Sequence, residues 1–317
     1  MRARGSAVAL AGCVTGALLL HACAGKTPPP SGPKPICSLE TTVGTDRAPK
    51  DRVYPPQYWF VLLVEGHQSS GLITRPARDC RGLPVSQAAD TCDGQLPVEV
   101  APQPLSARDL VIVNLGDARR LVWAITDRLA DGQGQGPVAL AEIGVGGIAV
   151  RAIGTLRTYA ENPSLRLEKV GATTVLVAEG EKCAGAGADC ERAVRVLPLL
   201  GDRFVSKPIV DEHNTCMGSS LIPMRTKGGV GRHTSTNYEL EAALVFGADA
   251  ITVREQLAVS GGHGGSEQQT QNAGAFVTRV QAERTLTVRG GALVANGPSL
   301  LDRWLSQHGG GNTAQPR

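Results

Sequence analysis

The sequence predicts an all-β fold of antiparallel hairpins, propeller-like or compound in architecture, with a β-sandwich as the alternative and one short C-terminal helix. Three observations predict it. Segment after segment alternates apolar with polar residues, the period of a half-buried strand. Four pairs of such segments are joined by glycine-led, two-residue connections. Only one stretch carries both a helix start and a helix stop signal.

The elements follow in chain order. "WFVLLV" (59–64) is apolar throughout, as a strand buried on both faces would be. "LVWAIT" puts Leu121, Trp123 and Ile125 on one face, although Leu121, Ile125 and Leu129 would also suit one side of a helix. "IGVGGIAV" predicts a turn at Gly146-Gly147, with Val145 facing Ile148 and Ile143 facing Val150. "LRLEKV", "TTVLVAEG" and "ERAVRVLPL" continue the two-residue period. Turns at Gly171-Ala172 and Gly201-Asp202 bring Leu167 opposite Leu176 and fold "LPLLGDRFV" back on itself.

Beyond them, "TKGGVGRHTSTN" (226–237) and "GGHGGSEQQTQNAG" (261–274) read as polar, glycine-rich loops. "ITVREQLAV" places Ile251, Val253, Leu257 and Val259 on one face, and "RTLTVR" turns at Gly290-Gly291 so that Val288 faces Leu293. In "GPSLLDRWLSQHGGG", Ser299 is an N-cap, Asp302 completes the capping pattern and Gly309 stops the helix.

The ends of the chain set its organisation. Arg2 and Arg4 precede the apolar run "AVALAGCVTGALLL", so residues 1–22 read as a secretory signal peptide. The prolines of "AGKTPPPSGPKP" favour an extended, solvated chain, which makes 23–36 a tether. A single β-rich globular domain spans 37–308, and 309–317 is a disordered tail. The domain is long enough to bury a sizeable core.

Two resemblances add to this reading. "LHAC", with Leu20 and Ala22 before Cys23, resembles the lipobox of bacterial lipoproteins, from which His21 departs. "LAGC" at Cys13 is the rival, but it would leave an apolar run of only about seven residues. The lipobox resemblance implies a lipid on Cys23 and an acylated (palmitate-type) amino group. Ala24, in place of an aspartate, implies the outer membrane, on its periplasmic side or at the cell surface. Residues 164–209 hold four strands in hairpin order and end in "GDRFV"; they resemble an integrin-type, FG-GAP-like propeller blade. Residues 121–155 resemble a second, less complete blade. "DRLADG" (127–132) supplies too few carboxylates for that family's calcium loop.

Eight cysteines occur, and with Cys13 and Cys23 in the signal and anchor, six remain. An even number in an exported chain predicts disulfides. Proximity suggests Cys80–Cys92 and Cys183–Cys190, and elimination leaves Cys37–Cys216. No C-x-x-C occurs, so the spacing indicates no metal site, and no cofactor motif is present.

Composition narrows the functional classes. The formal charge of +3 falls to about +1 once Arg2 and Arg4 leave with the signal, which gives no field for nucleic acid. Aromatic residues are 3% of the chain, too few for binding by stacking. The densest chemical cluster is "VDEHNTC", with Asp211, Glu212, His213 and Cys216. His213 and Cys216 could pair as base and nucleophile or ligate a metal, and His233 in "GGVGRHTS" is a further candidate. As a turn carrying a bonded cysteine, the same cluster would have no chemistry.

The expectation is therefore a non-enzymatic outer-membrane lipoprotein with a disulfide-stabilised β domain that binds an envelope protein or serves a structural role. The alternatives are a scattered-site hydrolase or metal-dependent enzyme around Asp211, Glu212 and His213, and a small-ligand-binding lipoprotein. The expected partners are the membrane, through the lipid, and an envelope protein.

Overall fold

The computed structural model describes residues 34–85, 90–92, 94, 98–185, 189–230, 236–261 and 276–308. The expected signal peptide, Cys23 with most of the tether, the tail 309–317 and His233 lie outside the described residues.

Strand β1 (Ser38–Glu40) is followed by helix α1 (Pro56–Leu63), then by β2 (Leu110–Asn114), β3 (Arg119–Ala124), β4 (Asp127–Arg128), β5 (Gln133–Gly144) and β6 (Gly147–Tyr159). Next come β7 (Glu161–Val170), β8 (Thr173–Lys182), β9 (Glu191–Leu200) and β10 (Arg203–Phe204). The last group is β11 (Ile209–Val210), β12 (Cys216–Gly218), β13 (Leu221–Val230), β14 (Thr236–Phe246), β15 (Ile251–Gly261), β16 (Phe276–Arg289) and β17 (Ala292–Ala295), with helix α2 (Leu300–His308) after it. The fold is β-dominated and compound, with a short C-terminal helix, as the sequence predicts. It is not a closed barrel, because β2 and β12 each pair on one side only among the described residues.

Two meanders meet at β9 and β10. The first runs β2–β3–β5–β6, all antiparallel. The second runs β7–β8–β9 and passes from β9 to β13, then on through β14, β15, β16 and β17. Short β10 joins them, antiparallel to β9 and parallel to β6. The four strands β7 to β10 follow in the hairpin order expected for 164–209.

Three predicted turns have the expected register: Leu167 faces Leu176, Arg203 faces Leu200 and Val288 faces Leu293. The fourth is displaced. Val145 and Gly146 form the turn, Gly144 faces Gly147, and Ile143 faces Ile148 rather than Val150. Gly147 is a glycine for another reason: β1 crosses it so closely that a Cβ would lie 2.0 Å from the Leu39 carbonyl oxygen, and its φ is +146°.

Two other expectations are corrected. Residues 59–64 are not a buried strand but belong mainly to α1, because Pro55 and Pro56 start a helix and an unbroken apolar run does not itself select a strand. Trp59, Phe60, Leu62 and Leu63 are buried while Val61 faces solvent. Residues 226–237 are not simply a loop, since 226–230 pair with 236–240. Gly228 there lets the Tyr238 ring lie against the strand, where a Cβ would come 2.4 Å from the hydroxyl oxygen.

The core is layered. On one face of the first meander, Val122, Ala139, Ile143 and Ile148 pack with Trp59, Phe60 and Leu63 of α1. On its other face, Leu121, Trp123, Val138 and Leu156 pack with Leu165, Leu176 and Leu197 of the second. The far side of the second meander packs Val175, Val177, Val194 and Val196 with Ile222, Val253 and Leu286. Finally, Leu300, Leu301 and Trp304 of α2 cover Leu240 and Leu257. At about 25 cal/mol per Å² of apolar surface, such burial is the main favourable term of folding.

All six cysteines from Cys37 onward are bonded, but only Cys183–Cys190 pairs as proximity suggests. Cys80 bonds Cys37, not Cys92, because the turn at Asp79 sets it beside β1, with both cysteines on the α1 core. Cys92 bonds Cys216 across 124 residues, because Asp90 is drawn inward to Arg195 of β9 and to Ser220, between β12 and β13. Non-reducing peptide mapping should return these three pairs and no Cys80–Cys92 peptide. Replacing Cys92 and Cys216 together by alanine should cost about 4–5 kcal/mol for so long a loop, read from chemical denaturation.

Candidate functional site

The predicted cluster at 211–216 is a tight surface turn. Asp211 accepts hydrogen bonds at Oδ1 from the backbone amides of His213 and Thr215, both at 2.8 Å. Asn214 takes a φ of 62°, a left-handed value that asparagine tolerates better than most residues. The backbone bonds, that of Thr215 foremost, hold the Asp211 carboxyl below the usual carboxylate range. Glu212 and His213 project into solvent with three-quarters of each side chain exposed, Nε2 to Oε1 at 3.6 Å. Cys216 is bonded to Cys92 and has no thiolate to offer as nucleophile or ligand. The turn sequence thus serves its own backbone.

A second group resembles a ligand set only by proximity. Glu181, Cys183 and Cys190 bring one donor atom each within 4.8 Å of the others. The two sulfurs are bonded to each other, so they are not available to a metal.

The polar centre that organises the molecule lies outside the residues that the sequence motifs single out. Arg157 of β6 and Arg195 of β9 reach the same carboxylate, Asp90, one at each oxygen. All three side chains are buried, Arg195 with 1% of its surface exposed. Arg195 also donates to Ser220 Oγ at 2.6 Å, and the Ser220 amide donates to the Asp90 carbonyl at 3.3 Å. Burial pulls the Arg195 guanidinium down to about 10, against the pull of Asp90 in the opposite direction. It therefore stays charged at neutral pH. One carboxylate serves two cations, and Arg157 Nε and Nη1 and Arg195 Nε are left without a partner among the described residues.

This centre had a sequence signal. In "ERAVRVLPL" Arg195 lies between buried Val194 and Val196, where a charged side chain demands a buried counter-charge. The identity of that counter-charge was not legible, because Asp90 lies far away in an unpatterned stretch. Glu255 is similar. It sits on the apolar face of β15 with Ile251, Val253 and Leu257, accepts the Leu300 amide at 2.9 Å and lies 3.7 Å from Arg284 Nε. Burial raises its pKa. Its contact fixes the start of α2, which Ser299 and Asp302 cap as expected.

Two surface concavities lie among the described residues. One holds Lys182, Asp189, Glu191, Arg225 and Lys227 beside the Cys183–Cys190 loop. Its charges are mutually paired: Asp189 accepts from Lys227 at 2.7 Å and from Arg225 at 3.1 Å. The other lies over Asp127 and Asp109, which are taken by Arg75 and Arg128. The exposed pairs at Asp189 contribute little to stability, whereas Asp127 and Asp109 are themselves buried.

Comparison with known proteins finds no match: no family model, no curated protein and no solved structure is similar to this chain.

Two substitutions separate the centres. Asp90→Asn should destabilise the domain by about 3–5 kcal/mol in urea unfolding, because two buried arginines lose their charge partner. His213→Ala, on the exposed turn, should stay within about 0.5 kcal/mol of the parent.

Proposed function

We propose that this protein is an exported lipoprotein, anchored to the outer membrane through a lipid on Cys23, whose disulfide-stapled β domain is a non-enzymatic module for contact with envelope proteins. The observation that carries this reading is the state of the cysteines. All six beyond the lipobox-like "LHAC" are bonded in three disulfides, as suits the oxidising compartment to which an exported lipoprotein is delivered. Several acyl chains, at about 0.8 kcal/mol per buried methylene, hold a protein to a bilayer where one would not. Among the described residues no helix is long and apolar enough to cross a membrane.

The extent of the sheet favours contact over chemistry as its use. Strands β13 to β16 are long, and β14 and β16 carry exposed valines, Val245, Val277 and Val280. Such surfaces engage other proteins more readily than they hold a small substrate.

Cell fractionation with palmitate labelling tests the anchor. The parent chain should label and partition with membranes, whereas Cys23→Ala should lose the label and appear as a soluble exported protein. Equal labelling of that variant would transfer the lipid to another residue and overturn the assignment.

A further inference from the structure

We infer that the outer edge of β16 is a self-association site at which a second copy of this chain adds its own β16, antiparallel, about a two-fold axis at Gln281. This names a partner for the protein contact proposed above and rests on that reading.

Among the described residues the edge is open, and its polar groups have a known direction. β16 pairs with β15 along its whole length, but on the other side β17 covers only 286–289. Thr285 donates to Asn296 Oδ1 and its carbonyl accepts the Asn296 amide, so both its main-chain groups point away from β15. Alternation along an antiparallel strand then turns the N–H and C=O groups of Val277, Arg279, Gln281 and Glu283 the same way. No described strand lies beside them. A row of unmet donors and acceptors of this kind is a template for another strand.

The side chains select the occupant. With Gln281 opposite its symmetry mate, Arg279 of each copy falls opposite Glu283 of the other, and the axis generates the pair twice. Opposite charges facing across an antiparallel pair are favourable, and like charges are not. Residues 277–281 and 283 are all exposed, and among the described residues Arg279 stands opposite uncharged Ala258. Glu283 lies 2.9 Å from Arg254 and would accept a second cation.

On the opposite face, the apolar row Leu240–Leu257–Val280 runs from beneath α2 to the edge and ends on Val280, 40% exposed. The same register places Ala282 of the second copy against it. Edge charges of one sign would have repelled a second copy. These are complementary under one symmetric register.

Sedimentation equilibrium on the full-length chain, in detergent if it is membrane-bound, tests the inference. The parent should be a dimer. Arg279→Glu and Glu283→Arg should each weaken it by about tenfold or more, since each sets like charges opposite one another twice. An equimolar mixture of the two variants should restore association. In the mixed dimer the two substituted side chains face each other with opposite charges, and the unaltered Arg279 of one chain meets the unaltered Glu283 of the other. Gln281→Pro removes an outward N–H that β15 does not use, and should give a folded monomer by circular dichroism. A monomeric parent, or a parent dimer unchanged by Arg279→Glu, would overturn the proposal. Either result leaves fractionation of Cys23→Ala unaffected, so the anchor and the edge are judged separately.

Discussion

Asp90 is where the two meanders are tied together. Its carboxylate stands between a guanidinium from β6 and one from β9, out of water, and its main-chain carbonyl accepts the Ser220 amide just before β13. A buried charge without a partner is strongly unfavourable, so each strand is held to the others through this residue. Cys92, two residues later, adds a covalent bond to Cys216 in β12. The shared apolar layer of Leu121, Trp123, Leu156, Leu176 and Leu197 supplies the attraction between the meanders. The arginines and their aspartate fix the geometry in which that layer closes.

Further from this joint, the construction is more conventional. Apolar faces stack one sheet surface on the next, and each end is finished by a helix. α1 seals the first meander with Trp59, Phe60 and Leu63. α2 seals part of the second with Leu300, Leu301 and Trp304, its start held by buried Glu255. Burial raises the Glu255 pKa although Arg284 and the Leu300 amide favour its carboxylate, so its contribution to stability is fullest below the ordinary glutamate value and falls as pH rises through the raised one. On β16, residues 277–283 have no described strand on the side away from β15.

Local rules read well from the sequence where local chemistry decides. The turns at Gly171, Gly201 and Gly290 require a left-handed backbone, and glycine between apolar registers reveals that directly. The same rule displaced the turn near Gly147, because that glycine answers to a crossing strand rather than to a turn. The strand reading of 59–64 gave way to Pro55-Pro56, which start a helix whose apolar face waits on the first meander. The short-range cysteine pairing gave way to Asp90, whose partners are distant in the chain. The candidate cluster at 211–216 looked chemical because turns use the same aspartate, asparagine and threonine that sites use. The buried arginines of β6 and β9 were the better clue, since an arginine within an apolar run announces a counter-charge that the sequence does not name.

Native-state hydrogen exchange tests the joint most directly, by comparing the amides of Ile153 in β6 and Val253 in β15, both fully buried and on different meanders. If Asp90 and its arginines make one cooperative unit, the two amides open with the same free energy, equal to that of global unfolding. Exchange at Val253 through a separate opening of clearly lower free energy, with Ile153 still protected, would contradict the account.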